Sequence, residues 1–303
     1  MISRYTQKHC SWVDLFEPTH DEVREIMEAF DLPPRLVSDL TGPVPRSDAV
    51  RVADTLKVTL DFPSITFNEQ ERPQEVKFIL TKHALITVRY ADIPALHQFA
   101  KEFEVATTLK RTARTLHGGH LFTALLRALY AGLGQKLDYI ETRLADIEEE
   151  IFNEHEKEMV FEISQVNRRL ITFRQTLASH ELVLARTREH AADLFSKQFA
   201  HSVGDLELTF QNLMRQLTAV NTSTLELRET NNSLLYTKQN ETMKVLTIMA
   251  FVTFPLTLFS SLFGMNTKTL PLVGIPGDFW YILGIMVLLT VLFFGYFRYK
   301  RWM

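Results

Sequence analysis

The chain has 303 residues and a mass of 35.1 kDa, with 33 Lys and Arg against 36 Asp and Glu and a net charge of −3. That balance gives no basic face of the kind a nucleic-acid binder needs, so no nucleic-acid partner is expected. Only five charged residues (Lys268, Asp278, Arg298, Lys300 and Arg301) occur from Val245 onward, which excludes a wholly water-soluble protein.

The first eighteen residues, MISRYTQKHCSWVDLFEP, contain no apolar core such as a signal peptide requires. Cys10 is the single cysteine, so no internal disulfide can form, and a lone thiol in a polar stretch reads as inert. Thr19-His20-Asp21 opens a helical pattern through Val23, Ile26, Met27 and Phe30, ended by Pro33-Pro34. The alternation over Arg51–Phe62 predicts one strand, and Glu75–Leu80 with Ala84–Arg89 predicts a hairpin turning at Thr81-Lys82-His83.

Eight of the eleven prolines fall at or before Pro94, and the next is Pro255. Proline is the strongest helix breaker, so its absence over 160 residues predicts very long helices. Leu126, Leu129, Leu133, Leu137, Ile140, Leu144, Ile147 and Ile151 step by three or four, a coiled-coil-like seam whose simplest role is core packing. A turn is expected over Asn153–Lys157, followed by a return helix carrying Ile163, Val166, Leu170, Phe173 and Leu177. Gly204-Asp205 is read as the start of a last helix running without a stop toward the apolar tail.

Two uncharged runs, Val245–Thr267 and Phe279–Phe297, are each long enough to cross the hydrocarbon of a bilayer. Trp280 and Tyr281 at one end of the second run, and Tyr296, Tyr299 and Trp302 at the other, fit interfacial belts. The basic tail places the C-terminus inside by the positive-inside bias, and an even number of spans puts the N-terminal part there too. The expected location is the cell inner (cytoplasmic) membrane, multi-pass, with both termini cytoplasmic and lipid as a partner.

Three enzyme-like strings are discounted. Gly132-Leu-Gly-Gln-Lys136 lies inside the heptad helix and follows no strand, as a phosphate loop must. His180-Glu181 lacks the second histidine of a zinc protease, since Leu184 stands there. His117 and His120 are close enough to share a metal, but Gly118-Gly119 between them reads as a helix break. With no nucleophile–base constellation, an enzyme is not expected, nor is an organic cofactor.

Gly264-Met265-Asn266 closes the first apolar run. Alone it could be a helix C-cap, where glycine and asparagine are common. A polar-and-bulky series leads into it: Asn240, Thr247, Phe254, Thr257 and Ser261, spaced 7, 7, 3 and 4 on one helical face.

Together these residues resemble the CorA family of divalent-cation transporters. The resemblance rests on Asn240-Glu-Thr-Met-Lys-Val-Leu-Thr-Ile248, Pro255-Leu-Thr257 and Phe263-Gly-Met-Asn266, with a similar basic-aromatic ending at Arg298–Trp302. Weaker similarity covers Glu75–Thr87 and Pro34–Leu40. It implies an α+β cytoplasmic domain, a CorA-like α/β funnel with long coiled-coil-like helices, followed by two C-terminal transmembrane helices. The implied domains are 1–116, an α/β domain; 117–243, long helices leading to the pore; and 244–303, a transmembrane hairpin.

The resemblance also implies a homopentamer whose first spans line the pore, with constrictions at Asn240, Leu246, Phe254, Thr257 and Asn266. Leu246 takes the place that the stripe gives to Thr247, and Phe254 replaces an expected methionine. The family's regulatory metal-sensing aspartates match Asp39 and Asp205. The acidic residue often found after the motif is absent, Thr267-Lys268 standing there instead. The implied cargo is Mg2+, both transported and regulatory, with Co2+ and Ni2+ as further divalent cations. Two other readings stand beside it: a zinc transporter of the same superfamily, and a membrane-anchored coiled-coil sensor that transports nothing.

Overall fold

The computed structural model describes residues 1–7, 10–37, 40–43, 47–64, 73–108, 117–265, 271, 274, 276–300 and 302. It divides into two compact units, Met1–Arg228 and Glu229–Met303. The first is built on a six-stranded mixed sheet in the order β1-β2-β6-β5-β4-β3. Its strands are β1 (Ile2–Gln7), β2 (Cys10–Phe16), β3 (Asp48–Val52), β4 (Thr55–Phe62), β5 (Gln74–Leu80) and β6 (Ala84–Arg89). The expected β5–β6 hairpin is present, Val76 opposite Arg89 and Leu80 opposite Leu85.

The single strand expected over Arg51–Phe62 is instead the hairpin β3–β4. Ala53 turns at φ 51°, and Val52 lies opposite Thr55. Two strands were not legible at all. The polar-looking N-terminus forms β1 and β2, and β2 lies parallel to β6. Cys10 opens β2 and is buried, and that burial pushes its thiol up to about 11.

Helix α1 (His20–Ala29), followed by the single turn α2 (Pro34–Val37), starts at a reciprocal capping box. Thr19 Oγ1 accepts from the Glu22 amide at 3.3 Å, and the Thr19 amide donates to Glu22 Oε2 at 2.9 Å. Val23 and Ile26 pack on Val13, Leu15, Ile79, Ile86 and Val88, filling one face of the sheet. The opposite face carries Trp12, against Phe99 and Phe103 of α3 (Pro94–Thr108), and Phe78, against Phe122 of α4 (Gly118–Phe152). With both faces covered, charges inside the sheet must be paired. Asp14 accepts from Arg89 Nε at 3.0 Å and from Thr87 Oγ1 at 2.6 Å. Lys77 Nζ lies 3.1 Å from Glu75 and donates to the Gly42 carbonyl at 2.6 Å.

The leucine–isoleucine seam is the buried stripe of α4, as its period predicts. Gly118-Gly119 does not break that helix but begins it. A Cβ on Gly118 would lie 2.2 Å from the Ala84 carbonyl oxygen, and one on Gly119 2.6 Å from the Phe199 ring. Close approach explains both glycines. The turn after α4 holds Glu154 at φ 72°, and the return helix is divided into α5 (Glu156–Leu177) and α6 (His180–Leu194). His180 opens α6 fully buried, donating from Nε2 to the Asp61 carbonyl at 2.8 Å and accepting at Nδ1 from Tyr130 at 2.9 Å. Burial lowers it to about 4, so it is a neutral core histidine. Gly132 and Lys136 lie inside α4 and not in a loop that follows a strand.

Helix α7 runs from Lys197 to Phe263 and α8 from Asp278 to Tyr299. The start expected at Gly204-Asp205 is wrong by two turns. Ser196 accepts from the Phe199 amide at 3.1 Å and initiates the helix, leaving Gly204 in its interior. Glycine there costs roughly 1 kcal/mol against alanine but does not stop a helix whose neighbours Val203 and Leu206 are buried. Both α7 and α8 are long and apolar enough to cross a membrane.

Candidate functional site

Within the second unit, α7 meets α8 through Ile248 and Val252 packed with Phe297, joined by Leu256 and Phe293. That contact fixes which side of α7 faces α8. At about 100° per residue, Met243, Ala250, Phe254, Thr257 and Ser261 lie on the side opposite Ile248, Val252 and Leu256. Asn240, Leu246 and Thr247 fall within roughly 60° of the same line. The stripe and the resemblance therefore name one face, and their difference at 246 and 247 is a step around its edge. Phe254 is 72% exposed and Leu246 55%, while Val252 is 7% exposed. Met243 and Ala250 also belong to the face. Being neither polar nor bulky and aromatic they escaped the pattern, although each lies three residues beyond a member of it.

The face is uncharged and mixes hydroxyl and amide side chains with apolar ones. Thr247 Oγ1 donates to the Met243 carbonyl at 2.7 Å, and Thr257 Oγ1 to the Thr253 carbonyl at 2.9 Å. A hydroxyl that spends its one proton on its own helix keeps its oxygen lone pairs for an outside donor. These threonines thus present acceptors.

The helix ends at Phe263, where the Gly264 amide donates to the Ser260 carbonyl at 2.9 Å. A C-cap glycine is ordinarily selected for positive φ. Among the described residues only Gly274 and Gly277 are glycines with positive φ. Gly264 therefore does not serve the conformation that would make the motif a mere cap. Met265 follows, exposed, and Asn266 lies outside the described residues.

Of the two aspartates, Asp39 also lies outside the described residues. Asp205 is exposed on α7, between the buried Val203 and Leu206. Because the helix begins at Lys197, Asp205 cannot act as its cap. Its carboxylate meets no hydrogen-bond or ion-pair partner among the described residues, its backbone carbonyl alone accepting, from Thr209 at 2.9 Å. No cluster of three or more metal-ligating side chains occurs among the described residues.

The chain matches the family model described as "CorA-like Mg2+ transporter protein" over residues 7–301. It is 21% identical over 292 residues to the cobalt/magnesium transport protein CorA of Methanocaldococcus jannaschii, covering 96% of this chain and 90% of that one. It is also 21% identical over 275 residues to the zinc transport protein ZntB of Pectobacterium carotovorum, covering 90% of this chain and 80% of that one. The complete structure of the M. jannaschii CorA magnesium transporter superposes with a TM-score of 0.85 at 18% identity, covering 99% of this chain and 93% of that one. Sheet, long helices and apolar helical pair thus match one known architecture from end to end, and the family model spans nearly every residue. The chain belongs to the CorA-like Mg2+ transporter family.

Proposed function

We propose that the chain is a channel-type transporter that takes Mg2+, and with it Co2+ and Ni2+, into the cell across the cytoplasmic membrane. The observation that carries this reading is the face of α7 turned away from α8, uncharged and lined with acceptors. Two helices cannot enclose a path, so conduction requires a closed ring of copies, here five, with this face inward and α8 outside. Mg2+ dehydrates reluctantly and keeps several of its waters. A hydrated cation offers water hydrogens outward, and the hydroxyl oxygens of Thr247 and Thr257 suit it, as does the side-chain oxygen of Asn266. No fixed charge holds the ion on the first span. A membrane potential of 100 mV supplies about 2.3 kcal/mol per charge, and roughly twice that for a divalent ion. Leu246 and Phe254, apolar and exposed on the same face, close the path by dewetting.

Regulation falls to Asp39 and Asp205, paired between neighbouring copies and bridged by cytosolic Mg2+. Facing carboxylates repel when empty and are held together when the ion is bound, so metal favours the closed arrangement by its differential affinity for it. Asp205 in mid-helix, without a partner of its own among the described residues, supports this role. In liposomes loaded with millimolar Mg2+, Asp205→Ala combined with Asp39→Ala should lose most of the inhibition by internal Mg2+, with uptake at zero internal Mg2+ little changed. Wild-type inhibition in the double variant would remove the sensor and leave the pore standing.

Zinc is the second reading, favoured by the similarity to a zinc transport protein. The last histidine is His201 and the lone cysteine is Cys10, so neither apolar run, Val245–Thr267 or Phe279–Phe297, carries a histidine or a cysteine. Uptake of Mg2+, Co2+, Ni2+ and Zn2+ measured side by side in proteoliposomes decides between them. Uptake of Mg2+ in preference to Zn2+ is expected, the reverse order establishes the zinc reading, and the absence of any flux leaves only a membrane-anchored sensor.

A further inference from the structure

His117 and His120 sit at the start of α4 with ring centroids 3.9 Å apart and planes tilted by 47°. His117 precedes the helix in extended conformation, φ −132° and ψ 167°, without capping it through its side chain. Its ring stacks on Phe195 at 5.4 Å and meets Phe199 edge-on at 5.7 Å. The Nδ1 atoms of both histidines are buried, and neither has a hydrogen-bond partner among the described residues. An orphaned buried polar atom is destabilising, and here two occur side by side. As aromatic filling alone the pair is a poor choice, since Phe or Leu would occupy the space without that cost. His180, the other histidine of this core, shows the contrast, both its nitrogens being satisfied.

We propose that His117 and His120 form a metal site of nitrogen donors that takes a borderline transition-metal ion, Zn2+, Co2+ or Ni2+, and not Mg2+. Imidazole suits those ions, whereas Mg2+ takes oxygen. Metal–nitrogen bonds of about 2.0–2.1 Å bring two donor atoms to roughly 3.4 Å in a tetrahedral site, and the two ring centroids already lie 3.9 Å apart. No hydrogen bond to a described residue pins either ring. A metal ligand must be an unprotonated nitrogen, and burial together with the neighbouring ring favours the neutral form, His117 being lowered to about 4. The site belongs to the first unit and shares no residue with the proposed pore, so it stands or falls independently of it.

The test uses the full-length protein in detergent, stripped with EDTA and held in excess Mg2+ so that oxygen sites are filled. Calorimetric titration with Ni2+ should register one equivalent per chain in wild type and lose it in His117→Gln/His120→Gln, with His155→Gln unchanged. The same stoichiometry in the double variant, or suppression of wild-type binding by Mg2+, overturns the site. Should the double variant fail to fold, His120→Gln alone is titrated. Independently, wild-type protein with one equivalent of Cu2+ should show nitrogen hyperfine coupling from two imidazoles. A spectrum of oxygen ligands alone would contradict the assignment.

Discussion

Asn266→Ala is expected to abolish divalent uptake while leaving expression and assembly intact. In the proposed ring each copy contributes one side-chain amide at the outer end of the path, and alanine removes its acceptor from the hydrated ion. A hydrogen bond lost in this way is worth about 1 kcal/mol. Repeated over five copies it approaches 5 kcal/mol, a drop in flux of roughly a thousandfold or more. The membrane helices should be insensitive to the change, because their packing rests on Ile248, Val252, Leu256, Phe293 and Phe297. Uptake at full rate in Asn266→Ala would reduce Gly264-Met265-Asn266 to a helix ending, a role for which Gly264 lacks the positive φ.

Phe254→Ala should act in the opposite direction. The ring is among the most exposed apolar side chains of α7 and makes no contact in the core shared with α8, so its truncation costs little stability. In the proposed ring it would narrow the path at an apolar constriction that excludes water. Removing it from every copy widens and wets that segment. Basal flux, measured without a gating signal, is expected to rise on the order of tenfold. Unchanged flux in a correctly assembled protein would mean that another residue forms the constriction, with Leu246 next in line.

What the sequence disclosed follows from the range of the interactions concerned. The long helices were legible because proline, absent from Ala95 to Phe254, acts within one turn, and the seam of α4 because burial on one side repeats every three or four residues. The start of α1 at Thr19 is equally local, although the reciprocal bond from Glu22 emerged only from the structure. The missed elements are those set by distant partners. Strands β1 and β2 hold Ser3, Arg4, Ser11 and Asp14, residues that seldom announce a strand, and β2 exists because it pairs with β6 some seventy residues later. Asp14 is tolerated there only because Arg89 and Thr87 satisfy it. Gly118-Gly119 gave the wrong signal for a similar reason. In isolation two glycines weaken a helix, whereas the carbonyl of Ala84 and the ring of Phe199 leave no room for a side chain.

The face of α7 was legible from period alone. Which side of α7 turns away from α8 became clear only from their contact, and the orphaned nitrogens of His117 and His120 only from their surroundings. Asp205 was visible as a carboxylate, but its place inside the helix depended on where the helix begins, a boundary set at Ser196.

The measurement that bears most directly on the ion path exploits the single native cysteine. Cys10 is buried, with its thiol pushed up to about 11, and so gives a silent background for a small, charged, water-soluble thiol reagent. Mg2+ uptake into liposomes is recorded before and after that reagent for Ser261→Cys, on the proposed pore face, and for Val252→Cys, on the face packed against α8. Flux that is lost on treatment in Ser261→Cys and preserved in Val252→Cys is the expected result. Flux through Ser261→Cys that survives complete modification, or block confined to Val252→Cys, would show that ions do not pass along this face of α7.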